Sequence, residues 1–111
     1  MKSDEPYLHH ILEMIRRMEK NTRQGKSVFM ASHTLQDAVL RNLQTMTETT
    51  QRLSEDLKAT RPHVEWAKIA AFRNVLVHDY LGIDLERIWD IVLNDVPRLK
   101  TAVVEMLEGI R

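Results

Sequence analysis

Apolar positions recur along this chain with the period of a helix. Leu8, Ile11, Leu12, Ile15 and Met18 share one stripe, and Ser3 or Asp4 before it, with Pro6 in the first turn, marks a helix start. The stripe stops at the polar run Asn21-Thr22-Arg23-Gln24-Gly25. Val28, Phe29 and Met30 then form a short cluster, predicted to be one extra helical turn that plugs the end of a bundle. Ser32 is the expected cap of a long second helix, with a seam through Leu35, Val39, Asn42 or Leu43, Met46, Leu53 and Leu57. Its middle, Thr45 to Thr50, carries four threonines, which are mediocre helix formers. Lys58 to His63, containing Arg61-Pro62, reads as a break.

A third helix is predicted from Trp66 through Ile69, Ala70, Phe72, Leu76 and Val77 to near Tyr80, with Gly82 as its stop. Asp84 caps a fourth, whose apolar series runs from Leu85, Ile88 and Trp89 to Val103 and Leu107. Pro97 lies inside that series and should kink or split the helix, with Asp95 capping the second piece. No segment alternates with a strand period. The expected fold is all-α: an up-down four-helix bundle formed by residues 1–111 as a single domain, with a kinked or split last helix and a short extra turn after the first.

Composition narrows the function more by exclusion than by suggestion. Lys plus Arg equals Asp plus Glu at 16 each, so overall charge favours no polyanionic partner, and any nucleic-acid contact must be local. Cys is absent, which removes disulfides, thiolate metal sites and a cysteine nucleophile, and fits a reducing cytoplasm. No apolar run reaches the roughly 20 residues of a membrane span, and the first residues lack the apolar core of a signal peptide. The expectation is a cytoplasmic protein with no membrane partner.

The segment Arg73-Asn74-Val75-Leu76-Val77-His78-Asp79-Tyr80 carries the candidate chemistry. Spacings of three and seven put Arg73, Leu76 and Tyr80 on one helical face, and Asn74 and His78 stack on the adjoining one. An Arg guanidinium is a planar fork that fits phosphate oxygens and stays charged. His exchanges protons near neutrality. RNA brings its own nucleophile, the 2′-hydroxyl, so a positioned base and a cation suffice. The plainer reading is an ordinary solvated pair on a helix, with Asp79, Asp84 or Glu86 as ion-pair partners. The other histidines add little: His9 and His10 point about 100° apart, and His33 and His63 fall near element ends. No metal site and no cofactor are expected.

The motif Arg73-x4-His78-x-Tyr80, with Asn74 after the Arg, resembles the signature of HepT-type proteins of the HEPN ribonuclease superfamily. Leu8-His9-His10-Ile11-Leu12 resembles that family's first helix and Asp37-Ala38-Val39-x-Arg41-Asn42-Leu43 its second. Trp66-x-x-Ile69-x-x-Phe72 leads into the motif, and Ile83-Asp84-Leu85-x-x-Ile88-Trp89 with Asp95-Val96-Pro97-x-Leu99 resembles the closing helix. The resemblance implies a metal-independent endoribonuclease toxin of a type II/VII-like toxin-antitoxin pair, with a composite site across a two-fold homodimer. Arg73 and His78 carry over as the catalytic pair, and Asn74 and Tyr80 as residues that position the RNA substrate. Such toxins pair with a minimal nucleotidyltransferase antitoxin, which in the family can place AMP on the motif Tyr, here Tyr80.

One departure stands out. Family members often carry a Gly-Glu-Ala-like triplet in the second helix, where this chain reads Thr47-Glu48-Thr49. That loss of small neighbours puts close helix approach there in question. Glu48 and Asp79 are candidates for supporting the site, a surface ion pair being the commoner fate of such a Glu. Two rival readings stay open: a non-catalytic RNA- or substrate-binding subunit of a minimal nucleotidyltransferase, and a structural helical dimer with a degenerate motif.

Overall fold

The computed structural model of the chain describes residues 2–110, and the side chains of Lys2 and Tyr80 lie outside that description. A 3-10 turn, Lys2–Asp4, leads into α1 (Glu5–Thr22), followed by the short α2 (Lys26–Ala31), α3 (His33–Thr50) and the short α4 (Glu55–Ala59). Next come α5 (Trp66–His78), a 3-10 turn over Tyr80–Gly82, α6 (Leu85–Asp90), a π-helical segment over Ile91–Asp95 and α7 (Val96–Ile110). Among the described residues there is no strand, and no helix is long and apolar enough to cross a membrane. The fold is the expected all-α bundle, with α1, α3, α5 and the α6–α7 rod as its four long members.

The core is the predicted set of stripes. Leu8, Ile11, Ile15 and Met18 of α1 meet Val39, Leu43 and Met46 of α3, and Leu99, Val103 and Met106 of α7 close over them. The extra turn forms as a plug: Phe29 of α2 is fully buried, its ring 5.4 Å from that of Trp89. Gln36 locks the plug in place, its Nε2 donating at 3.0 Å each to the carbonyls of Phe29, which also accepts the Ser32 N–H, and of Met30. Ser32 caps α3 and Asp84 caps α6 as the sequence led one to expect, each accepting a backbone N–H, from Leu35 and Glu86 respectively.

The threonine-rich half of α3 is helical and buried. Its hydroxyls donate back to carbonyls of their own helix: Thr47 to Gln44, Thr49 to Thr45 and Thr50 to Thr47. With their polar atoms satisfied, these side chains pack as small residues, so α1 and α3 form the most extensive helix pair in the fold. The replacement of small neighbours around Glu48 has therefore not held the helices apart. Thr49 Oγ1 lies 2.8 Å from the Thr45 carbonyl, to which it donates, and 2.9 Å from Nδ1 of His10, a hydrogen bond that ties α3 to α1.

Three local expectations are corrected. The second long helix ends at Thr50, not near Leu57, because Ser54 turns extended to cap α4. Leu53 and Leu57 keep their places in the core although the chain bends between them. Asp4 does not cap α1: its carboxylate is only 2% exposed and accepts from the backbone N and the Oγ of Ser54, at 2.8 and 2.7 Å, across 50 residues of chain. Nor does Asp95 cap a second piece of the last helix. The rod is divided by a wider π turn, in which the Val96 N–H reaches back five residues to the Ile91 carbonyl. This places Pro97 in the first turn of α7, where its missing N–H and its ring are tolerated.

The Asp4–Ser54 tie generates a stability prediction. Asp4→Ala leaves the Ser54 donors without their buried acceptor and should lower unfolding free energy by about 2–3 kcal/mol in urea titrations. Asp4→Asn, which keeps an acceptor oxygen, should lose less. A shift in midpoint too small to resolve would show that the tie is not stabilising.

Candidate functional site

The site is built on α5, an unusual helix. It is polar only at Lys68, Arg73, Asn74 and His78, yet Leu76 alone is buried among its side chains. α5 packs on α3 through Ile69, Phe72, Arg73 and Leu76, positions three and four apart that form one face. The opposite face, Ala67, Ala71, Asn74, Val75 and His78, is exposed, with Val75 at 44%. Beyond the helix, Leu81 is 90% exposed.

α5 runs back along α3. The Trp66 indole Nε1 donates to the carbonyls of Lys58 and Arg61, in and after the short helix that follows α3, which places the start of α5 past the end of α3. Further on, Arg73 meets Glu48 within α3, its Nη2 3.4 Å from Oε2. The other Glu48 oxygen accepts from Gln44 Nε2 at 3.3 Å, and Arg73 Nη1 donates to Asn74 Oδ1 at 3.3 Å. These are long bonds between half-exposed groups, with side-chain exposures of 31% for Arg73 and 39% for Glu48. An exposed pair of this kind contributes roughly 0–1 kcal/mol. The guanidinium is held in place but can be released to another anion.

Of the residues named from the sequence, Arg73, Asn74 and Glu48 are brought together. Gln44 joins them and was missed, although its four-residue spacing from Glu48 on one helix face was a readable signal. His78 is the last residue of α5 and exposed. It does not meet Arg73. Five residues of helix separate them, a rotation of about 140°, so Arg73 looks towards α3 while His78 lies on the open face with Asn74.

Asp79 leaves the helix at φ −128°, ψ 39°. Its carboxylate lies over Gly82, where a Cβ would come within 3.0 Å of Oδ1, so a side chain at 82 would push it away. No bond joins Asp79 to Arg73 or His78 among the described residues. Tyr80 opens the 3-10 turn, beyond the break at Asp79, so seven-residue helical spacing no longer assigns it to the Arg73 face. Its side chain lies outside the described residues. His33 and His63 are exposed, as expected. Among the described residues no group of three or more His, Cys, Asp or Glu could hold a metal ion.

What the arrangement can do is bind an anion between α3 and the motif, with a proton-exchanging imidazole on the adjoining face. Comparison with known proteins gives this a family. A "Probable ribonuclease HepT" from Thermococcus cleftensis is 33% identical over 100 residues, 89% of this chain and 91% of that protein. A candidate RNase from Caldanaerobacter subterraneus is 30% identical over 112 residues, covering 97% of each. A Methanocaldococcus jannaschii protein named as a gamma-glutamylcyclotransferase and candidate RNase is 34% identical over 103 residues, 92% of this chain. The chain spans about half of that relative, 46% of its length. No solved structure matches. The model of the family described as "Ribonuclease HepT-like" matches residues 11–106, nearly the whole bundle and all of the motif, and the chain belongs to that family of ribonucleases.

Proposed function

We propose that this protein is a metal-independent endoribonuclease toxin that acts as a two-fold dimer and is restrained by a minimal nucleotidyltransferase antitoxin. The observation that carries this reading is the 140° divergence of Arg73 and His78 around an α5 whose open face is apolar. One protomer presents the cation towards α3 and the imidazole away from it. A second α5, laid on Ala67, Ala71 and Val75 about a two-fold axis, would cover the apolar face and bring its own Arg73 and His78 to the same groove. The small side chains on that face permit close approach of the two helices.

The chemistry follows from the groups gathered there. An RNA phosphate takes the place of the Glu48 carboxylate at the Arg73 fork, where two parallel N–H donors match two phosphate oxygens. His78 of one protomer removes the proton of the 2′-hydroxyl as that oxygen attacks phosphorus. The bond to the 5′-oxygen breaks, and that oxygen takes a proton from the second imidazole. Arg73 offsets the charge that builds on the non-bridging oxygens, and Asn74 orients the strand. The products are a 2′,3′-cyclic phosphate and a free 5′-hydroxyl. Tyr80 is the residue that the partner would modify: an AMP phosphodiester two residues past His78 sets a fixed negative charge in the path of the RNA.

Cleavage of a single-stranded RNA should persist in EDTA, leave cyclic-phosphate ends and spare DNA of the same sequence. His78→Ala should reduce it by about 10²–10⁴-fold. Activity that vanishes on chelation and returns with added metal would sink the mechanism. RNA binding by wild type without any cleavage would favour the binding-subunit reading instead.

Val75→Asp tests the dimer, because the residue is exposed in the single chain and the change should leave the fold intact. Light scattering should move from dimer to monomer at micromolar concentration, and cleavage should fall with the dimer fraction. A monomeric wild type that cleaves RNA at full rate would overturn the composite site.

For the antitoxin, mass spectrometry of the protein co-expressed with an active partner should find AMP on the peptide that contains Tyr80, together with suppressed cleavage. An unmodified Tyr80 alongside neutralised toxicity would leave steric occlusion as the mode of restraint.

A further inference from the structure

Arg41 lies on the same strip of α3 as Glu48, the partner of Arg73, and we infer that it is a second phosphate-holding residue, gripping the RNA strand some nucleotides from the bond that is cut. The inference rests on the ribonuclease reading above and adds a residue which that reading does not use.

Arg41 and Glu48 are seven residues apart on α3, so their side chains leave the helix within about 20° of each other and roughly 10 Å apart along its axis. Gln44, between them, shares the strip and bonds to Glu48. Glu48 is level with Arg73, since the two are bridged at 3.4 Å. Because α5 runs back along α3, seven residues backward from Glu48 correspond to about seven forward from Arg73. Arg41 is therefore level with the His78 end of the motif and the turn at Tyr80–Gly82.

The charge of Arg41 is also open, as are those of Arg23, Arg52, Arg87 and Arg98 among the described residues. Several surface cations are neutralised: Arg16 and Arg17 by Glu13, Lys26 by Glu86, Lys58 by Glu55, Arg61 by Glu105, Lys68 by Glu65 and Lys100 by Glu19. Arg41 is exposed and has no ion pair among the described residues, and Asp37, one turn earlier on its helix, does not reach it. Of the guanidiniums without a carboxylate, it is the one on the α3 strip shared with Glu48. An unpaired fork next to a releasable one makes two anion positions on one line. At about 3.4 Å per stacked nucleotide, a 10 Å separation spans roughly three nucleotides of a strand. Arg73 would take the scissile phosphate and Arg41 one further along, so Arg41 would set affinity for a strand and not the rate of the chemistry.

The test compares wild type, Arg41→Ala and Arg41→Lys, first confirming equal thermal unfolding. Binding of a fluorescein-labelled 12-nucleotide oligouridylate is measured by anisotropy from 50 to 200 mM salt, with His78→Ala in each protein to prevent cleavage. Cleavage of the same oligomer and of the dinucleotide UpU is measured without that change. Arg41→Ala should weaken 12-mer binding about five- to tenfold and make the salt slope shallower by about 0.7, the share of one phosphate on a single strand. It should raise KM for the 12-mer with kcat unchanged and leave UpU, too short to span both positions, unaffected; Arg41→Lys should recover part of the affinity. Equal 12-mer affinity and slope in Arg41→Ala, with wild type cleaving normally, would overturn the role of Arg41 and leave the ribonuclease reading standing. So would an equal loss on UpU. Absence of both binding and cleavage in wild type would overturn both.

Discussion

Helix α3 is clamped between α1 and α5, and the clamp closes only because the threonine-rich half of α3 can be buried. Four hydroxyls in six residues would ordinarily favour turns and caps. Here Thr45, Thr47, Thr49 and Thr50 each donate to a carbonyl of their own helix, which removes the desolvation cost that an open hydroxyl would carry. The threonines then offer short side chains to α1, and Thr49 shares a hydrogen bond with His10. The next residue along the α3 strip, Glu48, is left facing α5. The position of the acid that holds Arg73 thus follows from how the helix around it is buried.

The same clamp explains why α5 is apolar yet hardly buried. Its main packing partner is α3, and the face carrying Ile69, Phe72, Arg73 and Leu76 is turned towards it. A helix that is apolar nearly all round is ordinarily enclosed on every side. Leaving Ala67, Ala71 and Val75 in solvent is a mismatch between composition and burial, and a second helix would relieve it. The residues that carry the motif are spread over both faces, which is what the proposed dimer rests on.

The C-terminal rod solves a different problem. An apolar stripe that must cover α1 runs through a proline, and an unbroken α-helix would set the ring against the Leu93 carbonyl. Widening one turn to π geometry absorbs the mismatch on the solvent side, where Leu93, Asn94 and Asp95 are exposed, while Val92 and Val96 stay in the core. Helical continuity is kept, so α6 and α7 act as one wall of the bundle and Trp89 remains available to the Phe29 plug.

Local information determined much of this. Stripe spacing identified the four long helices and the plug, the side-chain caps at Ser32 and Asp84 followed from residue type, and the motif with its flanking segments carried the family. These features depend on neighbours within about one turn, which is why they can be read along a single chain. Tertiary structure decided the rest. Asp4 looked like a cap and became an anchor for Ser54, because two part-buried donors 50 residues away outcompeted the helix end. The second helix stopped at Thr50, and the expected Asp95 cap gave way to a π turn, because cores select among several locally acceptable endings. Glu48 could have been any surface carboxylate until α5 was laid against α3. Arg73 and His78 read as one constellation in the sequence and lie about 140° apart on the helix, since adjacency along a chain does not make two side chains face the same point in space.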